Sequence, residues 1–214
     1  MAAGVWVAEM NGSTWGAGNM TKLSGQNTSV TARYCTMDSA TPGQANPIPI
    51  PTAGHTPSYW KNHFLFISGG AVGGDEDNYE FTYISSIRWR CDGTLFNWNS
   101  TKASGLVVVL ETAESEGYGV LSGNYESGCG WNGASSLGKS GALLANHGQY
   151  DASSNAEDYV EGSELMVDNR KITPNDTAKF VYSKILVHQA LIGSSALSGN
   201  PGTETYTWIW DEVS

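Results

Sequence analysis

The sequence predicts an all-β protein, an antiparallel β-sandwich of jelly-roll type with long loops and an extended proline-containing arm. Three observations carry this expectation. From Tyr79 to Cys91 the residues alternate, with Tyr79, Phe81, Tyr83, Ile87, Trp89 and Cys91 on one side and Glu80, Thr82, Ser86, Arg88 and Arg90 on the other. Period two is the signature of a strand with one buried face. Charged residues make up only 15% of the 214, while 26 are glycine, and no window sustains the 3.6-residue apolar period of a helix. Short apolar runs are punctuated by Gly, Asn and Ser, the turn chemistry of sandwiches and jelly rolls.

The chain fits one domain, residues 1–214, large enough to bury a substantial core. Val5–Met10 and Val30–Cys35 read as strands, separated by a Gly/Asn/Ser/Thr segment. Residues 37–58 read as an arm or loop. Asn46-Pro47-Ile48-Pro49-Ile50-Pro51 lacks alternate amide donors and cannot build a ladder, so it is expected to run extended. It either lies on its own domain or reaches a neighbouring subunit, with Pro47, Ile48, Pro49, Ile50 and Pro51 as the contact residues.

Tyr59–Ser68 reads as the next strand, and Gly73–Asn78 as an acidic turn without the spacing of a calcium loop. The strand from Tyr79 to Cys91 would span about 43 Å, longer than most strands, so either a bend or bulge near Ser85–Ser86 or a strand running along a sandwich edge is expected. Asp92-Gly93 supplies a tight turn, and Thr94–Trp98 resumes the alternation as a hairpin partner. Leu106–Leu110 is a continuous apolar run, the pattern of a strand covered on both faces, followed by a turn-like Glu111–Gly119. Residues 123–158 form a long irregular region of the kind that often carries subunit contacts. Tyr159–Val167 leads into a turn at Asp168-Asn169, Lys179–Ile192 reads as a long strand, and Thr203–Val213 reads as an aromatic strand central in its sheet.

The formal net charge is −10, which repels phosphate and excludes a general nucleic-acid binder. No stretch has the roughly 18 apolar residues of a membrane helix. The opening Met1-Ala2-Ala3-Gly4 has no secretory pattern, so synthesis in a host cytoplasm is expected. Three cysteines, Cys35, Cys91 and Cys129, are buried apolar residues, or one disulfide with a thiol left over, or a link between subunits.

Gly133-Ala134-Ser135-Ser136-Leu137-Gly138-Lys139-Ser140 fits the phosphate-loop pattern, but neither a preceding buried strand nor a following helix supports it. His55, His63, His147 and His188 have no metal-ligand spacing and are expected at the surface or hydrogen-bonded. No nucleophile can be paired with a base, and Glu111, Glu114, Glu116 and Glu126 read as loop acids. The sequence therefore predicts no enzyme, no cofactor and no metal. Trp15, Trp60, Trp98 and Trp131 lie near loops and leave a glycan contact open.

Ile87-Arg88-Trp89-Arg90-Cys91-Asp92-Gly93-Thr94, Leu165-Met166-Val167-Asp168 and the closing Tyr206-Thr207-Trp208-Ile209-Trp210-Asp211-Glu212-Val213 resemble small β-sandwich virion proteins of tailed phages and related viruses. The likeness spans roughly residues 79–214. It implies a structural protein of the virion, first a head decoration or cement protein and second a tail or fibre component. The implied partners are copies of itself and a major capsid or tail protein. A carbohydrate-binding module and an extracellular filament subunit are the alternatives.

Overall fold

The computed structural model describes residues 3–11, 20–25, 28–30, 32–35, 39–40, 46–53, 55–58, 61–68, 82–91, 105–113, 156–173, 180–198 and 205–213. These residues are mostly strand in antiparallel sheets, without an α-helix; one turn of 3-10 helix spans Ala156–Asp158. The strands are β1 (Gly4–Met10), β2 (Met20–Gly25), β3 (Thr28–Ser29), β4 (His55–Pro57), β5 (Lys61–Ser68), β6 (Tyr83–Cys91), β7 (Gly105–Ala113), β8 (Leu165–Asp168), β9 (Phe180–Tyr182), β10 (Ile185–Gly193) and β11 (Tyr206–Val213).

The larger sheet runs β3-β2-β1-β5-β10-β4. Its second edge of β5 is shared, with β10 pairing at Lys61–His63 and β9 at Phe66–Ser68. β10 likewise pairs β5 and then β4 along one edge and β7 along the other. The smaller sheet is β11-β6-β8. One apolar cluster draws on both sheets: Val5, Leu65, Ile67, Leu186 and Ala190 from the larger, Ile84, Ile87, Trp89, Val167 and Trp208 from the smaller.

The larger sheet is covered on its other face too, which is why β1 and β5 are apolar at both parities. Trp6 meets Phe66 edge-on at 5.9 Å, Phe66 lies 5.5 Å from Tyr182, and Phe64 and Ala8 are fully buried. Lys22 on β2 lays its ammonium over Trp6 at 4.2 Å. That contact explains a strand the sequence reading missed, because β2 is polar and buries only Leu23. Its last residue must be glycine. Gly25 has φ +140°, and a Cβ there would lie 2.7 Å from the Val5 carbonyl oxygen.

The expected strand Val30–Cys35 is not formed. Pairing stops at β3, and Arg33 N donates to Ala40 O to close a loop that turns Cys35 inward. The arm region 37–58 ends in regular structure, because β4 joins the edge of β10. Pro57 is tolerated there, as proline is on edge strands.

β6 carries the expected bulge. Ser86 has φ 52°, and the register with β11 jumps so that Ser85 faces Asp211 while Arg88 faces Ile209. The extra residue reverses the alternation. Ile84 is therefore buried before the bulge, and Ile87, Trp89 and Cys91 after it. Tyr83 moves off the core face and sits under the Lys171 ammonium at 4.6 Å.

β11 lies at the end of its sheet among the described residues, not in the centre, and β6 takes the middle position. The turn at Asp92-Gly93 and its partner Thr94–Trp98 lie outside the described residues. Glu111, Thr112 and Ala113 extend β7, where a turn was expected. The long strand Lys179–Ile192 divides at Ser183-Lys184 into β9 and β10. Ser183 secures the break: its Oγ accepts from Leu65 N, and its own N donates to Leu65 O.

Asp168 pins the end of β8 to that break. Its buried carboxylate accepts from Arg170 N, Arg170 Nη2 and Lys184 N at 2.8–2.9 Å. Burial works against the charged form, but the hydrogen bonds from Arg170 and Lys184 outweigh it and hold Asp168 below the ordinary carboxylate range. Cys35 and Cys91 are buried and form no disulfide with each other; Cys129 lies outside the described residues.

Candidate functional site

Among the described residues, a cluster of buried polar side chains lies under the larger sheet. Antiparallel pairing of β1 with β5 sets Glu9 opposite His63, and pairing of β10 with β5 sets His188 opposite Lys61. Alternation then turns Glu9, Lys61, His63 and His188 to the same face as Val5, Leu65 and Leu186, the face covered by the smaller sheet. Glu9, Lys61, His63 and His188 are 0%, 2%, 5% and 0% exposed.

These groups bond one another in a line. Lys61 Nζ donates to Glu9 Oε1 at 2.9 Å and to Ser39 O at 2.6 Å. Asn11 Nδ2 donates to the same Oε1 at 2.9 Å. His63 Nε2 meets Glu9 Oε2 at 3.1 Å, and His63 Nδ1 meets His188 Nε2 at 2.9 Å. His188 Nδ1 meets the Tyr34 hydroxyl, which lies 3.0 Å from the Tyr206 hydroxyl. The line thus starts on β1 in the larger sheet and ends on β11 in the smaller. Trp89 stacks over His188, with centroids 6.4 Å apart and planes 30° apart.

One proton arrangement satisfies every member of this line with both rings neutral. Tyr206 donates to Tyr34, Tyr34 to His188 Nδ1, His188 Nε2–H to His63 Nδ1, and His63 Nε2–H to Glu9 Oε2. A proton added at His63 Nδ1 would face the His188 Nε2–H. Relief requires His188 to change tautomer and both hydroxyls to turn around, so one proton reverses the line.

His188 itself is neutral in either direction of the line. Burial, then the neighbouring His63 and Lys61, push His188 well below its ordinary value of 6.5. Burial alone would raise Glu9, but the hydrogen bond and charge of His63 and the charge and hydrogen bond of Lys61 outweigh it. Glu9 therefore lies below its ordinary 4.5. Both depressions act on stability with the same sign, because the unfolded chain binds more protons than the folded one below each ordinary value. Stability is predicted to be level above pH 6.5, to begin falling below it as His188 resists protonation, and to fall again below pH 4.5 on account of Glu9. Urea midpoints across pH 4–8 check this; a His188→Asn chain should lose the first decline and keep the second.

Sequence reasoning missed this site. His63 and His188 are hydrogen-bonded as expected, but to each other, and far from the surface. Among the described residues no group of His, Cys, Asp or Glu is arranged to hold a metal ion. The phosphate-loop pattern Gly133–Ser140, Cys129, His147 and the tryptophans Trp15, Trp60, Trp98 and Trp131 lie outside the described residues. Of the arm residues, Ile48 packs against the apolar cluster, Pro51 is half-buried, and Pro47, Pro49 and Ile50 are exposed.

Comparison with other proteins finds no matching family, no matching curated protein and no matching solved structure. The chemistry of the site therefore stands on its own geometry. In this arrangement the carboxylate and both imidazoles are buried, and their bonds tie β1, β5 and β10 to one register. A slip of one residue would turn a buried charge away from its partner.

Proposed function

We propose that this chain is a structural subunit of a virus particle, a head decoration or cement protein built as a jelly-roll-like β-sandwich. It would act by adding contact area between copies of itself and a major capsid or tail protein. The observation that carries this reading is the arm. Ile48 holds the run 46–51 against the domain's own core, while Pro47, Pro49 and Ile50 face outward, with Ile50 39% exposed. Proline segments are extended before they bind and lose little entropy on docking, so an anchored arm with an outward apolar side chain suits a subunit contact. The sealed network supports the same reading, since a rigid register suits a part that works by shape.

Light scattering and electron microscopy of the purified full-length protein test the proposal. Discrete oligomers or assemblies are expected, and Ile50→Asp should dissociate them with little change in thermal midpoint, because an exposed side chain contributes little to the fold. A protein that stays monomeric over a wide concentration series and binds glycans would overturn the reading in favour of a carbohydrate-binding module.

A further inference from the structure

The pairing of β1 with β5 runs as far as Glu9 opposite His63, and Asn11 and Lys61 each lie two residues beyond that last pair, at the same end of the two strands. Lys61 Nζ and Asn11 Nδ2 both donate to Glu9 Oε1, each at 2.9 Å. An amine, a carboxamide and a carboxylate are thereby held around a single oxygen. The amine is 2% exposed, fixed from behind by Ser39 O, and the carboxylate is aimed by His63 through its other oxygen.

We propose that Lys61 and Asn11 condense to an intramolecular amide that joins β1 to β5 covalently, with Glu9 carrying the protons. The Lys61 ammonium passes a proton to Glu9 Oε1 and frees the Nζ lone pair. Nζ attacks Asn11 Cγ, forming the new C–N bond as the carbonyl pair moves onto Oδ1. Glu9 hands its proton to Nδ2 and takes a second from Nζ. The carbonyl re-forms, the Cγ–Nδ2 bond breaks, and ammonia departs with that second proton as ammonium, which restores the Glu9 carboxylate. No oxidant, metal or co-reactant is needed.

Two features favour the step. The reactants are pre-placed, so little entropy is lost in bringing them together. The carboxylate sits within proton-transfer range of both nitrogens. The cross-link is independent of the virion role and would stand if that role failed.

Intact-mass spectrometry of the full-length protein reads the reaction directly. The expected mass is lower than that of the sequence by one ammonia, and digestion should yield a branched peptide containing both Asn11 and Lys61. Asn11→Ala and Lys61→Arg should each restore the full mass for their sequence. Asn11→Ala keeps the Glu9–Lys61 pair and lies at a half-buried strand end, so it provides a folded comparison, checked by circular dichroism, should Lys61→Arg fail to fold. A folded wild-type protein at full mass without a branched peptide would overturn the proposal. So would an ammonia loss that persists in Lys61→Arg, which would mean a succinimide at Asn11-Gly12, or loss of a water with Lys61 joined to Glu9 instead.

Discussion

Replacing Glu9 by alanine is expected to destabilise the fold by about 3–5 kcal/mol, the cost of leaving a buried charge without its partner. Glu9 is fully buried and takes hydrogen bonds from Lys61 and Asn11 on one oxygen and faces His63 on the other. Its loss strands the Lys61 ammonium in an apolar layer, where transfer from water is most costly. Glu9→Gln keeps the shape and one acceptor, so its cost should be smaller, though Lys61 still loses its counter-charge. The double variant Glu9→Gln with Lys61→Met removes both charges and should recover much of the loss of Glu9→Ala, since buried ion pairs are often replaceable by apolar neighbours. Urea unfolding with a constant slope reads all three on one scale. A Glu9→Ala midpoint equal to wild type would show that water reaches the pair and that the network does not hold the register.

Trp89→Ala is the second large effect, again about 3–5 kcal/mol, from lost burial plus the cavity left behind. Trp89 is fully buried where the sheets meet, with Tyr206 at 5.0 Å, Tyr159 at 6.2 Å and His188 stacked upon it. The cavity would open beside His188, so water should ease protonation of that ring. The decline in stability below pH 6.5 should therefore flatten in Trp89→Ala, a linked effect that plain loss of packing elsewhere would not give. Trp89→Phe is expected to be far milder. It leaves a smaller void and deletes an indole Nε1 that is buried without a hydrogen-bond partner, a group whose burial itself costs about 1–3 kcal/mol. If Trp89→Phe proved as damaging as alanine, ring shape rather than volume would be what the site requires.

Several strands are legible in the sequence. Val5–Met10, Tyr59–Ser68 and Thr203–Val213 each contain a strand, and the bulge expected near Ser85–Ser86 is found at Ser86. Where the reading failed, a tertiary contact had overridden a local pattern. Val30–Cys35 looks like a strand, yet Tyr34 serves the His188 line and Cys35 is turned into a loop core. β2 looks like linker, yet its lysine caps the aromatic pair formed by Trp6 of β1 and Phe66 of β5. Lys61 reads as the solvent end of an amphipathic strand, and only the covering sheet makes it a buried partner for Glu9.

By itself the sequence determined that this chain folds as antiparallel strands, because period-two alternation, scarce helix formers and glycine-rich turns act locally. Which faces are covered, and hence that Glu9, Lys61, His63, His188, Tyr34 and Tyr206 meet in one buried line, was decided only when the two sheets packed together. Those residues lie up to 197 positions apart in the chain. A charge on a strand is read locally as an exposed charge, and burial is a property of the neighbour that lands on it.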